Sequence, residues 1–591
     1  MRFYVGAVLR IDLSKATSTV EPLNTDWAER YIGGKGLLLR YLWEEVPPGV
    51  DPWAPENPIV LMSGPFAGTI TSSAERLVVG AKSVATGILS DSYVGGSFAP
   101  EMKYAGYDGI IIKGRAPEPV ILTIRDDVVE FLPALPKHWG MKTSEIEAAL
   151  REDFDPDAKV LSIGPAGENL VPFACVSTDQ YHKAGRGGHG ALMGSKNLKC
   201  IAVRGTGGVS VGDARAFLAA EREILISKVL SEDNLWATEE GTPMLVDPMN
   251  GGGVLPTRSF SSGTFEGAGK INSESLLATK TKNRACYQCA LGCRQWHEAS
   301  GVACEGPEYE TLALCGANCG IDDLGALLRF NQECDEWGLD TISAGSVVGL
   351  AMDLTDRGIA DFGVTFGDVR YVELPALIAK GEGVGIRLAR GARGLAMLHD
   401  HPELAMEVKN LEIPGYDPRG AFGMSLAYAT SDRGGCHLRG WTAGSEILDG
   451  EAPADSLEGK PSLVIELQHE MCLLDAGIWC DFLGIDGEGM ARLMTFVWER
   501  QVAEDELEVV AERIWNLSRL FNLREGVEKD DLPRRLYAEG NAFQEGPSAG
   551  KEIGERAFRS ALDAYYGLRG WDENGVPSEA KLAELGVDVR L

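Results

Sequence analysis

Cys286-x2-Cys289-x3-Cys293 places three thiols within eight residues, with Gly292 easing the turn between the last two. Thiolates at such spacing can wrap an iron–sulfur cluster or a zinc ion. A cluster wants a fourth thiolate, and zinc accepts Cys or His, so His297 and Cys304 are the nearest further candidates. The bacterial ferredoxin spacing and its following proline are absent. From spacing alone a cluster, a structural zinc and coincidence all stay open. Two acidic turns form a second pattern, Asp335-Glu336-Trp337-Gly338-Leu339-Asp340 and Asp475-Ala476-Gly477-Ile478-Trp479-Cys480. An Asp in the last helical turn faces the negative end of the helix dipole, an unfavourable place. Either each is a solvated helix end, or two equivalent carboxylates receive N–H donors from a cofactor with two similar halves. A third pattern is Gly185-Arg186-Gly187-Gly188-His189-Gly190, whose backbone N–H groups can converge on phosphate or form a structural turn. It has neither Walker A lysine spacing nor a dinucleotide fingerprint.

The elements that must carry these groups change along the chain. Candidate strands are Val5–Asp12, Ile59–Ser63, Arg76–Lys82, Gly109–Lys113, Val120–Arg125, Val160–Ile163 and Lys199–Arg204. Glycine turns at 33–36, 95–96 and 185–190 separate them. Beyond Gly205-Thr206-Gly207-Gly208 the pattern turns helical. Asp213 is a candidate N-cap, a second helix starts near Asp322 or Asp323, and a third runs from about Ala503 to Gly526. A further boundary falls near Pro414-Gly415. No 20- to 50-residue repeat is visible. The reading is an α+β chain of three parts: a β-rich base over 1–208 and two mainly helical parts over 209–413 and 414–591.

Composition narrows the partners. The 591 residues hold 56 Lys plus Arg against 87 Asp plus Glu, a net charge of −31, which disfavours nucleic acid and anionic membranes. No stretch reaches the ~20 apolar residues of a membrane span. The start, Met1 to Asp12, reads as a strand rather than a signal peptide, so a cytoplasmic location is expected. Thiols stay reduced there, and the twelve cysteines then serve as ligands or as buried packing.

Together these residues resemble the tungsten-dependent aldehyde:ferredoxin oxidoreductase family. The resemblance runs nearly end to end, through Ser63-Gly64-Pro65, Glu101–Asp108, Ser162–Asn169, Met193–Lys199, the cysteine triad, Glu305–Glu310, Asp417–Gly420 and Arg433–His437. It implies tungsten (or molybdenum) held by two pterins, beside one [4Fe–4S] cluster. Cys286, Cys289 and Cys293 would be three cluster ligands and Cys480 the fourth. Arg76 matches a residue between cluster and pterin. Asp335 and Asp475 match the pterin-binding carboxylates, with Leu339 and Trp479 nearby. Tyr93, Gly95, His182, Lys183 and Gly185 match positions at the pterin phosphates and a bridging Mg2+. Glu310 and His437 match an acid–base pair beside the metal, with a structural carboxylate and a core histidine as the alternatives. Tyr309 and Arg439 come second, and His297, His399 and His401 match nothing.

The resemblance implies oxidation of an aldehyde to its acid with water as the oxygen source. Glu310 would accept a proton and His437 would hydrogen-bond the aldehyde oxygen. Electrons would pass to ferredoxin or an iron–sulfur partner subunit, in a homodimer or hetero-oligomer. A reductase of acyl-CoA or aromatic substrates with the same cofactors is the alternative. A non-catalytic electron-transfer subunit is a third reading. Three positions depart from the family pattern. Arg329 and Gln332 replace residues that contribute to a metal between subunits, implying none here. Glu75 and Tyr93 stand where glycine and a small polar residue are usual.

Overall fold

The computed structural model describes residues 2–537 and 540–591. Its first 204 residues build two six-stranded sheets. The first contains β1 (Ala7–Asp12), β2 (Thr17–Pro22), β3 (Ile59–Met62), β4 (Leu77–Lys82), β5 (Leu89–Val94) and β6 (Gly109–Lys113). The second contains β7 (Val120–Arg125), β8 (Val128–Pro133), β9 (Lys159–Ile163), β10 (Val176–Thr178), β11 (His182–Ala184) and β12 (Leu198–Arg204). The strand orders are β2-β1-β6-β3-β4-β5 and β8-β7-β12-β9-β10-β11. Adding six to each label of the first sheet yields the second. The directions match as well: β1 runs parallel to β6 and β7 to β12, and every other neighbouring pair is antiparallel. The base is therefore one topology used twice, at a period of roughly one hundred residues.

Alternation of side chains along each strand explains how the sheets stack. Leu9, Ile11, Leu61, Leu77, Val79, Ile110 and Ile112 from one sheet share a core with Leu122, Ile124, Leu161, Ile163, Ile201 and Val203 from the other. The opposite faces carry Val8, Val60, Val78 and Ile111 towards the helices of the main core, and Ile121, Val160 and Ala202 towards Ile146 and Leu150 of helix Thr143–Asp153. Edge strand β2 is almost wholly exposed and polar.

The rest is mainly helical. Asp213 caps helix Ala214–Ile224 and Asp323 caps Leu324–Trp337, each side chain accepting from backbone N–H groups of the first turn. Helix Glu504–Arg524 has three acids in its first turn and an arginine in its last, matching the dipole. One region departs from the expected helical character. The cysteine triad sits in the loop of a hairpin, between β13 (Lys280–Arg284) and β14 (Arg294–Ala299), with β15 (Val302–Glu305) beside β14. Alternation in Lys280-Thr-Lys-Asn-Arg284 is between polar residues only, so no apolar period announces the strand. Among the described residues no helix is long and apolar enough to cross a membrane.

Candidate active site between the sheets and helices

Two helix ends meet the two halves of the base in the same way. After β3 the chain reads Ser63-Gly64-Pro65, and after β9 it reads Gly164-Pro165. A Cβ on Gly64 would stand 2.3 Å from the carbonyl oxygen of Gly477, and one on Gly164 2.3 Å from that of Trp337. Only glycine permits these approaches. They seat the C-terminal turns of helices Lys460–Gly477 and Leu324–Trp337, and so place Asp475 and Asp335. Both carboxyls are buried, and burial lifts Asp335 to about 7 and Asp475 to about 6.

Their neighbours differ. Lys183 Nζ lies 3.7 Å from Asp335 Oδ1 and donates to the Asp335 backbone carbonyl at 3.0 Å. Leu339 is buried and bridges to Ala174 beside the second sheet. Asp475 instead accepts from Arg439 Nη1 at 2.6 Å. Arg439 also donates to Asp432 at 3.0 Å and Asp91 at 2.7 Å, while Lys35 Nζ donates to Asp91 at 2.9 Å and Asp432 at 2.6 Å. All five groups are buried. Tyr93 completes the network through its hydroxyl, 2.5 Å from Asp91. Trp479 is 1% exposed and stacks on Phe66 at 5.2 Å, with its indole N–H lacking a partner among the described residues.

The four cysteines named above, Cys286, Cys289, Cys293 and Cys480, are partly exposed, whereas the other eight are buried. Cys286 and Cys293 feel Cys289, and Cys480 feels Cys293, so the thiols lie within electrostatic range of one another. Burial pushes Cys293 up to about 12 and lifts Cys286 and Cys480 well above the usual thiol range. A metal binding here must displace protons. No three His, Cys, Asp or Glu side chains among the described residues close on a single ion. Arg76 Nη2 donates to Cys480 Sγ at 2.9 Å and pairs with Asp481. Ser73 Oγ lies 3.1 Å from Cys289 Sγ. Gly95 sits where a Cβ would come within 2.8 Å of Cys286 Sγ, and His182 Nδ1 is 3.8 Å from that sulfur. Burial, with Arg294 nearby, lowers His182 to about 3 and keeps it neutral. Glu75 is also buried against Cys286, and burial raises its carboxyl. Gly185 follows β11 as Gly95 follows β5, and its absent side chain would face Asp340.

Glu310 and His437 come together across 127 residues of sequence. Glu310 Oε2 accepts from the N–H of Gly415 at 2.8 Å. Oε1 lies 3.5 Å from His437 Nδ1, and neither atom has another partner among the described residues. Burial lifts Glu310 to about 8 and, helped by Arg186 and Arg433, drops His437 to about 3. At neutral pH the pair is thus a carboxylic acid facing a neutral imidazole. Tyr309, Tyr416 and Trp441 wall it in, with Tyr416 5.4 Å from His437 and 4.9 Å from Tyr309. Gly415 is required by this contact, since a Cβ would crowd Tyr309 and Glu310.

Sequence reasoning passed over Lys35, Asp91, Asp432, Arg186 and Asp481. Lys35 and Arg186 carried a signal, each as the basic residue inside a glycine turn, at 33–36 and 185–190. His297 is buried, its ring 3.0 Å from Thr279, and Gln332 donates to the Ala303 carbonyl.

The arrangement has close counterparts. The N-terminal domain of aldehyde ferredoxin oxidoreductase matches residues 8–205, and domains 2 and 3 of the same family match 221–587. The chain is similar to the tungsten-containing aldehyde ferredoxin oxidoreductase of Pyrococcus furiosus, 38% identical with 98% of each chain covered. It is 39% identical to that of Pyrococcus abyssi, with 99% of each covered. The solved active site complex BamBC of benzoyl coenzyme A reductase aligns with a TM-score of 0.84 at 24% identity, covering 99% of this chain and 97% of that one, a likeness of fold alone. Two family domains in sequence order, and relatives alike from end to end, place the chain in the aldehyde ferredoxin oxidoreductase family.

Proposed function

We propose that this protein oxidises aldehydes to carboxylic acids with water as the oxygen source, passing the electrons to ferredoxin or an iron–sulfur partner subunit. The observation that carries the reading is the Glu310–His437 pair, whose facing atoms are buried, 3.5 Å apart and otherwise unpartnered among the described residues. Its setting in an aldehyde ferredoxin oxidoreductase chain supports it. The residues also suit a tungsten bis-pterin group. Asp335 and Asp475 offer two matched acceptor carboxyls, Leu339 and Trp479 lie beside them, and Tyr93, Gly95, His182, Lys183 and Gly185 would hold the phosphates and a Mg2+. All of these except the two helix ends belong to the base, residues 1–208, over which 209–413 and 414–591 would close. When bound, the group supplies a Lewis acid and a two-electron acceptor. Cys286, Cys289, Cys293 and Cys480 would hold a [4Fe–4S] cluster, a one-electron carrier, with Arg76 stabilising the Cys480 sulfur.

The protein's own part is proton handling. Ionised Glu310 takes a proton from water through Oε1. The new O–H then faces His437 Nδ1, which leaves Nε2 as the ring N–H, a donor suited to negative charge developing on the substrate oxygen. Because His437 stays neutral, it offers that donor without a counter-charge. Tyr309, Tyr416 and Trp441 keep bulk water from competing. Burial sets the condition: Glu310 must ionise first, so kcat/KM should rise with pH through about 8. Glu310→Gln should lower turnover by at least 100-fold while leaving tungsten and iron, counted by mass spectrometry, in place. Retained turnover would remove Glu310 from this role.

A further inference from the structure

The cysteine triad opens onto a surface unlike the rest of this acidic molecule. From Ser275 to His297 the chain carries Lys280, Lys282, Arg284 and Arg294 and no Asp or Glu, although the full chain holds 87 acids in 591 residues. Three of these bases lie on β13, whose one neighbour in the sheet is β14 and whose outer edge is unpaired among the described residues. Lys282 is exposed, lies over the Trp296 ring at 5.4 Å, and pairs with no carboxylate among the described residues. Arg284 is partly exposed and pairs with Glu305 at 3.1 Å, Arg294 pairs with the same carboxylate, and Lys280 is fixed by the carbonyls of Thr238 and Glu239, so Lys282 carries the free charge. The elements tied to the triad loop also expose large apolar side chains. Thr238 Oγ1 donates to Leu291 in that loop at 2.5 Å, three residues from Leu235, which is 44% exposed. Ser72 Oγ accepts from Ala290 at 3.1 Å, two residues from Ile70, which is 47% exposed. Apolar side chains beside unpaired positive charge are how a recognition surface for an acidic protein is built.

We propose that β13, with Leu235 and Ile70, is the docking surface for an acidic one-electron iron–sulfur carrier protein. The proposal rests on the reading of the four thiols as the ligands of an iron–sulfur cluster. Oxidation of one aldehyde with water releases two electrons and two protons, so two dockings each reduce one carrier by one electron. The positive strand attracts the carrier over distance, and the apolar side chains hold it against the triad loop. This resolves a conflict set by charge, since a chain of net charge −31 and an acidic carrier otherwise repel.

An edge strand also needs charge simply to block pairing with another sheet. Lys282→Glu separates the two roles, because it keeps a charge at the edge and reverses its sign. The test is titration of the holoenzyme with an acidic [4Fe–4S] ferredoxin by calorimetry at several salt concentrations. Lys282→Glu should weaken binding about tenfold at low salt and flatten its salt dependence, and Lys282→Arg should preserve both. Leu235→Glu should also weaken binding, by threefold or more. Reduction of benzyl viologen by aldehyde and the iron content should stay at the parent level in all three. Parent holoenzyme with iron and dye activity whose ferredoxin affinity is untouched by Lys282→Glu and Leu235→Glu overturns the docking surface alone. Parent protein without iron overturns the cluster reading beneath it. A change confined to self-association, seen by light scattering, assigns the face to a second copy and also overturns the proposal.

Discussion

The two halves of the base share a topology and treat their carboxyls differently. Tyr93 and Lys183 occupy matching places, each two residues before a glycine that follows the equivalent strands β5 and β11. In the second half the lysine answers Asp335 directly, with its amine 3.7 Å from the carboxylate. In the first half a neutral tyrosine stands there, and the positive charge near Asp475 comes from Arg439, across 36 residues of sequence. Arg439 brings with it Asp432, Asp91 and Lys35. The duplication therefore fixes where a carboxyl stands, through backbone contacts at Gly64 and Gly164. It leaves the local charge free to diverge.

Breaking the charge on each side should expose that divergence most strongly. Arg439→Met leaves buried Asp91 and Asp432 paired with Lys35 and takes the ion-pair partner from Asp475, and should destabilise the protein by about 3–5 kcal/mol. Lys183→Met removes a partly exposed amine and should cost about 1 kcal/mol. Chemical denaturation at pH 7 compares them. Equal losses would mean that the two carboxyls are held alike after all. The backbone contacts predict the opposite pattern, a symmetric one. Gly64→Ala and Gly164→Ala each drive a methyl to 2.3 Å from a helix-end carbonyl, and each should cost about 1–3 kcal/mol. Markedly unequal costs would argue against equivalent seats.

How far the sequence carries depends on which physical signal each feature leaves. Gly109–Lys113 and Val120–Arg125 are strands in the structure with the same bounds, because β-branched runs between glycine, proline and aspartate turns are local signals. Thr17–Pro22 and His182–Ala184 escaped notice, one exposed and polar, the other three residues long. The duplication was hidden for a related reason. Its period is set by hydrogen-bonded pairing, while the spacing between matching strands runs from 113 residues at β1 and β7 to 89 at β6 and β12. The triad was legible by spacing, but not its hairpin. Cys480 required the resemblance, since its approach to the triad depends on its backbone N–H donating to Ser73 at 2.7 Å. Arg439 was only a second-line candidate, because nothing in its neighbourhood of sequence names Asp91 or Asp475.

The smallest expected effect is also the finest probe of the comparison. Burial raises both carboxyls above their unfolded value of about 3.9. The folded chain therefore binds protons more tightly than the unfolded one. The stability each carboxyl contributes is complete below about pH 4 and fades as pH rises, through about 7 for Asp335 and about 6 for Asp475. Before cofactor loading, Asp335→Asn should flatten the stability curve between about pH 4 and 7 and make the chain more stable at pH 8. Asp475→Asn should flatten a narrower window, up to about 6, and stabilise less. That gain is further offset because the amide no longer neutralises Arg439, 2.6 Å away. Urea unfolding of the two variants from pH 4 to 8 reads both windows. Identical windows would mean that Arg439 and Lys183 set the same potential at the two carboxyls, and the divergence of the halves would be confined to side chains that do not reach them.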